Sequence, residues 1–489
     1  MAQTSDILET ESAKPVALRQ WIDGTWSDSD DHQTFEVRSP ATGQVLASVP
    51  ASRASETRRG IEAAARAFRT WSQLPARQRA VPLLKVADLM RSRAPALARL
   101  IALEEGKPIT EARSEINYAA DFLSFFAEEA QRVGGETIPS PMPNKRLWTI
   151  KQPVGVAGLI TIWNFPAAGI TRPLGAALAA GCTAVVKPAE QTPLSAIAIF
   201  EMFEQVGLPP GVANLVTARD PEPVGRELLE NPLVRKISFT GSTEVGRQLM
   251  RGAADQIKRI SLELGGHAPL IVFEDADIEL ASSGAVASKF RNSGQTCVAV
   301  NRIYVHESVY QRFVDRFVQS CRELKVGDPL DESVRIGPLI DSSAVKKVQR
   351  HFADAISQGA TAILGDASAQ GLFCRPVVLV GVKPEMLVMR EETFGPLVAI
   401  ASFSSEDEVV AAANALPTGL AAYFYSRDAS RCARLVERLQ YGIVGVNDSL
   451  PGAAHVPFGG VKQSGIGKEG GRMGLEEFLD TRLISMVQQ

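Results

Sequence analysis

The sequence predicts an α/β protein with two blocks, each a largely parallel sheet covered by helices. Three observations predict it. From residue 153 short apolar runs end in polar or Gly/Pro turns, at Val154–Thr161, Thr183–Lys187, Ala213–Thr217 and Lys236–Thr240. Helical stretches separate them, such as Leu194–Val206 and one opening at Ser242–Arg247. A second alternating block then runs from Leu270 to about Val444. A chain of 489 residues also exceeds what one ordinary core holds, so two or three domains are expected.

In chain order, residues 18–48 hold short alternating runs divided by Asp23-Gly24, Ser39-Pro40 and Thr42-Gly43, the pattern of strands and turns. Ile61, Ala64, Phe68 and Trp71 then recur at helical spacing, with Ser55 as the expected cap. A second helix is expected over Val81 to Glu105, stopped by Gly106. Gln152 to Thr171 is uncharged and long enough to cross a bilayer. Pro153, Asn164, Pro166 and several glycines interrupt it, so it reads as a buried strand followed by a loop. In a parallel sheet ligands bind beyond the carboxyl ends of the strands. Chemistry is therefore expected after Asn164, Lys187 and Thr240, in a crevice between the two blocks.

Composition narrows the function classes. The chain is 45% hydrophobic and 22% charged, as in ordinary globular proteins. Its 52 basic and 55 acidic side chains are mixed along the chain, with no basic run to mark a nucleic acid or membrane partner. The first fifteen residues, MAQTSDILETESAKP, read as neither a secretory signal nor a transit peptide. Five scattered cysteines, Cys182, Cys297, Cys321, Cys374 and Cys432, fit reduced thiols in a cytoplasmic setting. No CxxC or His-rich cluster points to a metal, so metal-free chemistry is expected.

Three constellations carry chemistry. In Phe239-Thr240-Gly241-Ser242-Thr243-Glu244-Val245-Gly246 a strand ends, a glycine turns and a helix begins. Free N–H groups and the helix dipole there favour a phosphate, although taken alone the turn reads better as an ordinary helix cap. In Ser293-Gly294-Gln295-Thr296-Cys297 small polar neighbours suit an accessible thiol, whereas most lone cysteines are small buried hydrophobes. A nucleophilic thiol requires a lowered pKa and a partner base. Glu263 lies 34 residues upstream, between two leucines and before Gly265-Gly266, where burial penalises its charge. A paired structural glutamate is the plainer reading of that position.

Taken together, these motifs are joined in order by Trp163-Asn164-Phe165-Pro166, Lys187-Pro188-Ala189-Glu190, Glu392-Thr393-Phe394-Gly395-Pro396 and Pro457-Phe458-Gly459-Gly460. The chain closely resembles the aldehyde dehydrogenase superfamily from about residue 20 onward. Ile170-Thr171-Arg172, Lys289-Phe290-Arg291-Asn292 and Tyr441-Gly442-Ile443-Val444-Gly445 resemble its succinate-semialdehyde dehydrogenase branch.

The resemblance implies roles. Cys297 would attack the aldehyde carbon, Asn164 and the Cys297 N–H would hold the oxyanion, and Glu263 would activate water against the thioester. Glu469 would help relay the proton. Lys187 and Glu190 would meet the adenosine ribose of NAD, Gly241 and Ser242 the pyrophosphate, and Glu392 the nicotinamide ribose, with Trp163 and Phe394 as apolar walls. NAD is the expected cofactor and NADP a possible one. Arg172, Arg291 and Phe458 would border an aldehyde with an anionic far end, succinate semialdehyde first, then glutarate semialdehyde or a sulfonated aldehyde.

The implied architecture is a Rossmann-like cofactor domain (15–130 and 153–262), an α/β catalytic domain (263–445) and a small β oligomerisation extension (131–152 and 470–489). Residues 446–469 would return to the active-site surface, and the assembly would be a homodimer or homotetramer. Two departures stand out. Cys297-Val298-Ala299 lacks the second cysteine common in the branch, and Pro451-Gly452-Ala453-Ala454-His455 lacks the usual substrate-facing hydroxyl. A CoA-acylating dehydrogenase is the main rival reading, and relatives of that kind commonly lack the carboxylate at position 263. A non-catalytic binding protein would have little use for Cys297, Asn164 and Glu263 together.

Overall fold

The computed structural model describes Thr4 and residues 16–488. The reading of the first fifteen residues therefore falls, apart from Thr4, outside the described residues, as do residues 15 and 489 at the ends of the expected domains.

Two large sheets organise the described chain. The first has eight strands, in the order Gly465–Ile466, Arg259–Glu263, Val234–Thr240, Val156–Ile160, Thr183–Lys187, Ala213–Leu215, Gln20–Ile22 and Thr25–Ser27. Its five middle strands are parallel, and antiparallel neighbours close both sides. The chain enters at Val156–Ile160, steps outward through two strands, and returns to Val234–Thr240 on the other side. That reversal opens a crevice between the carboxyl ends of Val156–Ile160 and Val234–Thr240. The loop carrying Asn164 and the turn carrying Gly241 and Ser242 leave from those two ends.

The second sheet has seven strands, ordered Thr361–Leu364, Val377–Val380, Leu397–Phe403, Val300–His306, Ala268–Val272, Ala421–Tyr425 and Ile443–Val446. All pairs are parallel except that made by the first strand. Strands such as Ala268–Val272 and Ala421–Tyr425 are buried throughout, as helices on both faces require. A third sheet pairs Leu479–Val487 with Lys145–Pro153 over nine residues, and Thr137–Ile138 completes it. Among the described residues no helix is long and apolar enough to cross a membrane.

The helix Ala168–Ala180 is buried along its whole length, including Arg172. Its small residues let it pack closely: a Cβ on Gly175 would sit 3.2 Å from Leu123 and 3.3 Å from Phe126.

Two local expectations are corrected. Instead of one helix over Val81 to Glu105 there are two, Ala76–Ser92 and Ala94–Glu105, broken at Arg93. Pro95 is the cause, since it lacks the N–H that a continuous helix would bond to Arg91. Gly106 does stop the second helix, at φ 86°. Ser55 is not the cap of Ala54–Trp71, which begins one residue earlier. There the Glu56 carboxylate accepts from the Arg53 N–H at 2.9 Å.

Candidate active site

Cys297 is presented by a contorted loop. The helix Ile278–Phe290 ends in a tight turn whose Asn292, Ser293 and Gly294 all have positive φ, at 50°, 57° and 81°. Such backbone is costly for non-glycine residues and must be held by its surroundings. The holding groups are polar and buried. The Asn292 N–H donates to Glu111 at 2.6 Å, and its side-chain amide donates to Glu105 at 2.7 Å and to the Asn164 carbonyl at 3.1 Å. At Gly294 any Cβ would fall 2.3 Å from the Gly395 carbonyl oxygen.

Cys297 itself is half-buried and lines a cavity of about 520 Å³ with Asn164, Arg172, Thr240, Glu263, Arg291 and Phe458. The expected lowering of its pKa is not met. Burial pushes the thiol well above its ordinary value, and the Glu263 charge adds to this, while Arg172 and Arg291 oppose it.

Asn164 follows the strand Val156–Ile160 and reaches the thiol loop: its side-chain amide donates to the Gln295 carbonyl at 2.7 Å. An amide has two donors, so one remains for an oxyanion beside Cys297. Its backbone carbonyl is gripped by Lys107 at 2.7 Å, and Lys107 is in turn paired with buried Glu115.

Glu263 ends its strand opposite Thr240. Burial lifts its pKa to about 8; Arg172 opposes this, while Glu469 and Glu392 add to it. Its Oε1 is buried with no hydrogen-bond partner, a costly state unless a water or reacting group is meant to meet it. Glu469 is buried rather than on the surface. Its Oε2 lies 2.6 Å from Arg172 Nη2, a meeting of charges without the alignment of a hydrogen bond. Its Oε1 accepts from the Thr240 hydroxyl at 3.3 Å.

The other sequence-selected residues fall into two groups. Arg291 lines the Cys297 cavity, its guanidinium 4.9 Å above the Phe165 ring, and Phe458 lies 4.9 Å from the Arg172 guanidinium. The second group flanks the crevice of the first sheet. Ser242 caps the helix Thr243–Ala254, accepting from the Val245 N–H. Lys187 pairs with Glu190 at 3.2 Å, and Trp163 meets Phe394 edge-on at 5.5 Å.

Burial raises Glu392 to about 7, and it accepts from the Gly266 N–H at 3.4 Å. Gly265 adjoins both Glu392 and the start of that helix: a Cβ there would be 2.9 Å from Glu392 Oε2 and 3.7 Å from Thr243 Oγ1. This cleared path between a helix N-terminus and the half-buried Glu392 carboxylate fits a pyrophosphate and a ribose. Among the described residues no group of three His, Cys, Asp or Glu side chains is placed to hold a metal ion.

Sequence reasoning missed Glu111, Glu115 and Tyr118, which also line the cavity, and Lys107 beneath them. Four glutamates and a lysine within Glu104–Glu115, set among apolar residues, were the available signal. Of the loop expected to lack a hydroxyl, Pro451 and Gly452 line the cavity, and the preceding Ser449 and Leu450 line it as well. The Ser449 hydroxyl is engaged with Tyr425 at 2.6 Å.

Comparisons with known proteins agree over nearly the whole chain. A sequence model described as the Aldehyde dehydrogenase family matches residues 26–484. A glutarate-semialdehyde dehydrogenase of Pseudomonas aeruginosa is 50% identical over 481 residues, covering 98% of this chain and 99% of its own. An NADP(+) succinate-semialdehyde dehydrogenase of Escherichia coli is 52% identical over 463 residues, covering 94% and 96%. The crystal structure of succinate-semialdehyde dehydrogenase from Burkholderia pseudomallei superposes with a TM-score of 0.96 at 48% identity, covering 98% and 99%.

Proposed function

This chain belongs to the aldehyde dehydrogenase family, and on that premise we propose that it oxidises an aldehyde with an anionic far end, using NAD. One observation carries the reading: Cys297, Asn164 and Glu263 face a single cavity whose cations are Arg172 and Arg291.

The residues divide the work. The Cys297 thiol gives up its proton to solvent water as its sulfur bonds to the aldehyde carbon. The oxygen becomes an oxyanion, met by the free Asn164 amide donor and the Cys297 N–H. NAD, when bound along Lys187, Glu190, Ser242 and Glu392, supplies the hydride acceptor that makes this an oxidation. Glu263 then draws a proton from water as its oxygen bonds to the thioester carbon. The carbon–sulfur bond breaks, the acid leaves and the thiolate is restored. A carboxylate with pKa about 8 suits this work near neutral pH, because it is both a competent base and readily reprotonated.

Arginine suits the far end because it stays charged and binds a carboxylate at two points. Succinate semialdehyde is the leading substrate, with glutarate semialdehyde or a sulfonated aldehyde next, and relatives named for the first two stand at about equal identity. The Glu190 carboxylate accepts from a ribose 2′-hydroxyl and repels a 2′-phosphate, which favours NAD over NADP. All five cysteines are free, in keeping with a reducing, cytoplasmic setting. A homodimer or homotetramer would cover the strand Leu479–Val487, which exposes Leu483, Met486 and Val487.

The test is NADH formation with carboxylated, sulfonated and uncharged aldehydes of matched length, with and without CoA. We expect the highest kcat/KM for an anionic semialdehyde, the free acid as product, and no need for CoA. Equal rates for charged and uncharged aldehydes, or a strict need for CoA, would overturn the reading.

A further inference from the structure

We infer that Arg172 has a second task besides facing the substrate: it is a positioning residue that holds Glu469 beside Glu263 and so sets when that base can work. The inference rests on the proposed function, since it concerns the water-activating step of that reaction.

The geometry is that of a shared cation. Arg172 projects from the wholly buried helix Ala168–Ala180 and lines the cavity of Cys297 and Glu263. One guanidinium nitrogen faces Glu469 Oε2 at 2.6 Å, and both side chains are at least nine-tenths enclosed, at 10% and 8% exposure. Its Nε is buried with no hydrogen-bond partner, and its flat face is covered by Phe458 at 4.9 Å and Phe122 at 5.9 Å. Arg172 is thus not a free anion clamp waiting for substrate. It already carries a carboxylate, with donors left over for a second.

That carboxylate is next to the base for a reason of topology. The strand Gly465–Ile466 pairs antiparallel with Arg259–Glu263, with Gly465 opposite Glu263. Four residues later Glu469 folds back under Thr240, whose hydroxyl holds it and whose own backbone is the other partner of Glu263. Two buried carboxylates on neighbouring elements repel unless a cation lies between them. Arg172 carries such a charge, paired with Glu469 and favouring the ionised form of Glu263. Lys468 also acts on Glu263, its ammonium held in place by the Gly459 and Gly460 carbonyls at 2.6 and 3.2 Å.

The groups acting on Glu263 are therefore Arg172 and Lys468, which favour its ionised form, and Glu469 and Glu392, which oppose it, with the Cys297 thiol nearby. Burial has lifted its pKa to about 8, so a small change in this balance decides how much base exists at neutral pH. Removing Arg172 raises that pKa further, and removing the Glu469 charge lowers it.

An uncharged ester, p-nitrophenyl acetate, isolates this step, because it acylates Cys297 without cofactor and offers no anion to either arginine. The burst of nitrophenolate reads acylation, and the later steady rate reads hydrolysis of the acyl-enzyme. In the unmodified enzyme the hydrolysis rate should rise with pH through a midpoint near 8. In Arg172→Met the midpoint should move up by about one unit, slowing hydrolysis at pH 7 about tenfold. In Glu469→Gln it should move down, and in Arg172→Lys, which keeps the charge, it should stay near the unmodified value. Misfolding or lost substrate contact cannot produce shifts of opposite sign. If Arg172→Met and Glu469→Gln both hydrolyse with the unmodified midpoint, the inference falls while the proposed function stands. If the unmodified enzyme shows no burst on Cys297, the reading beneath it falls as well.

Discussion

Arg291 and Arg172 enter the same cavity on different terms. Among the described residues Arg291 has no ion-pair partner; it stacks over Phe165, six residues before the thiol. A half-buried guanidinium with no ion-pair partner is well placed to take the substrate's anionic end. Arg291→Ala should lower kcat/KM for an anionic semialdehyde by roughly 1.5–3 kcal/mol, about ten- to a hundredfold, as for loss of a charge-assisted bond. Activity with an uncharged aldehyde of equal length should change far less. Equal losses for both would make Arg291 structural. The sequence placed both arginines near the thiol through their motifs. It could not reveal that Arg172 is already paired, because Glu469 lies almost 300 residues away and only strand pairing brings it there. The surroundings of the thiol were equally out of reach: small polar neighbours in sequence suit an accessible thiol, but the burial and the Glu263 charge that push its pKa up come from the fold.

Elements were legible where local chemistry decides them. Thr183–Lys187 appears with its expected bounds, and Leu194–Gln205 ends one residue short of the expected Val206. The errors came from overlooked punctuation, Pro95 inside an apparent helix and Glu56 acting as the cap partner in place of Ser55. The strand Leu479–Val487 is legible only in part. Its apolar residues are evident, but its exposed Leu483, Met486 and Val487 lie at 60%, 45% and 55% exposure, which suits cover by another surface. We expect a homo-oligomer in sedimentation velocity, and Leu483→Asp with Val487→Asp should shift it to smaller species without unfolding the two large sheets. An unmodified protein that sediments as a monomer would show that this strand has another use.

At the scale of the whole molecule, the site exists because two sheets bring their ends together. Glu263 closes a strand of the first sheet, Ala268–Val272 begins the second five residues later, and Cys297 precedes the adjacent strand Val300–His306. The short passage Leu264–His267 therefore fixes base and thiol relative to each other, and a Cβ on Gly266 would lie 2.7 Å from the Cys297 carbonyl oxygen. The alternation of strands and helices made the two blocks readable in sequence, and the strand order, which reverses beside Val156–Ile160, explains why the crevice opens there. Strand order is a matter of non-local pairing and left no trace in the local pattern. In the proposed reaction Cys297 carries the acyl group and Glu263 releases it by activating water. Its most direct test is rapid mixing of Glu263→Gln with NAD and succinate semialdehyde, followed by intact-protein mass spectrometry. We expect one NADH per active site in the first turnover and an acyl adduct on Cys297. Steady turnover should be reduced about a hundredfold or more, the usual range for loss of a general base. Steady turnover at the unmodified rate, with no adduct on Cys297, would contradict it.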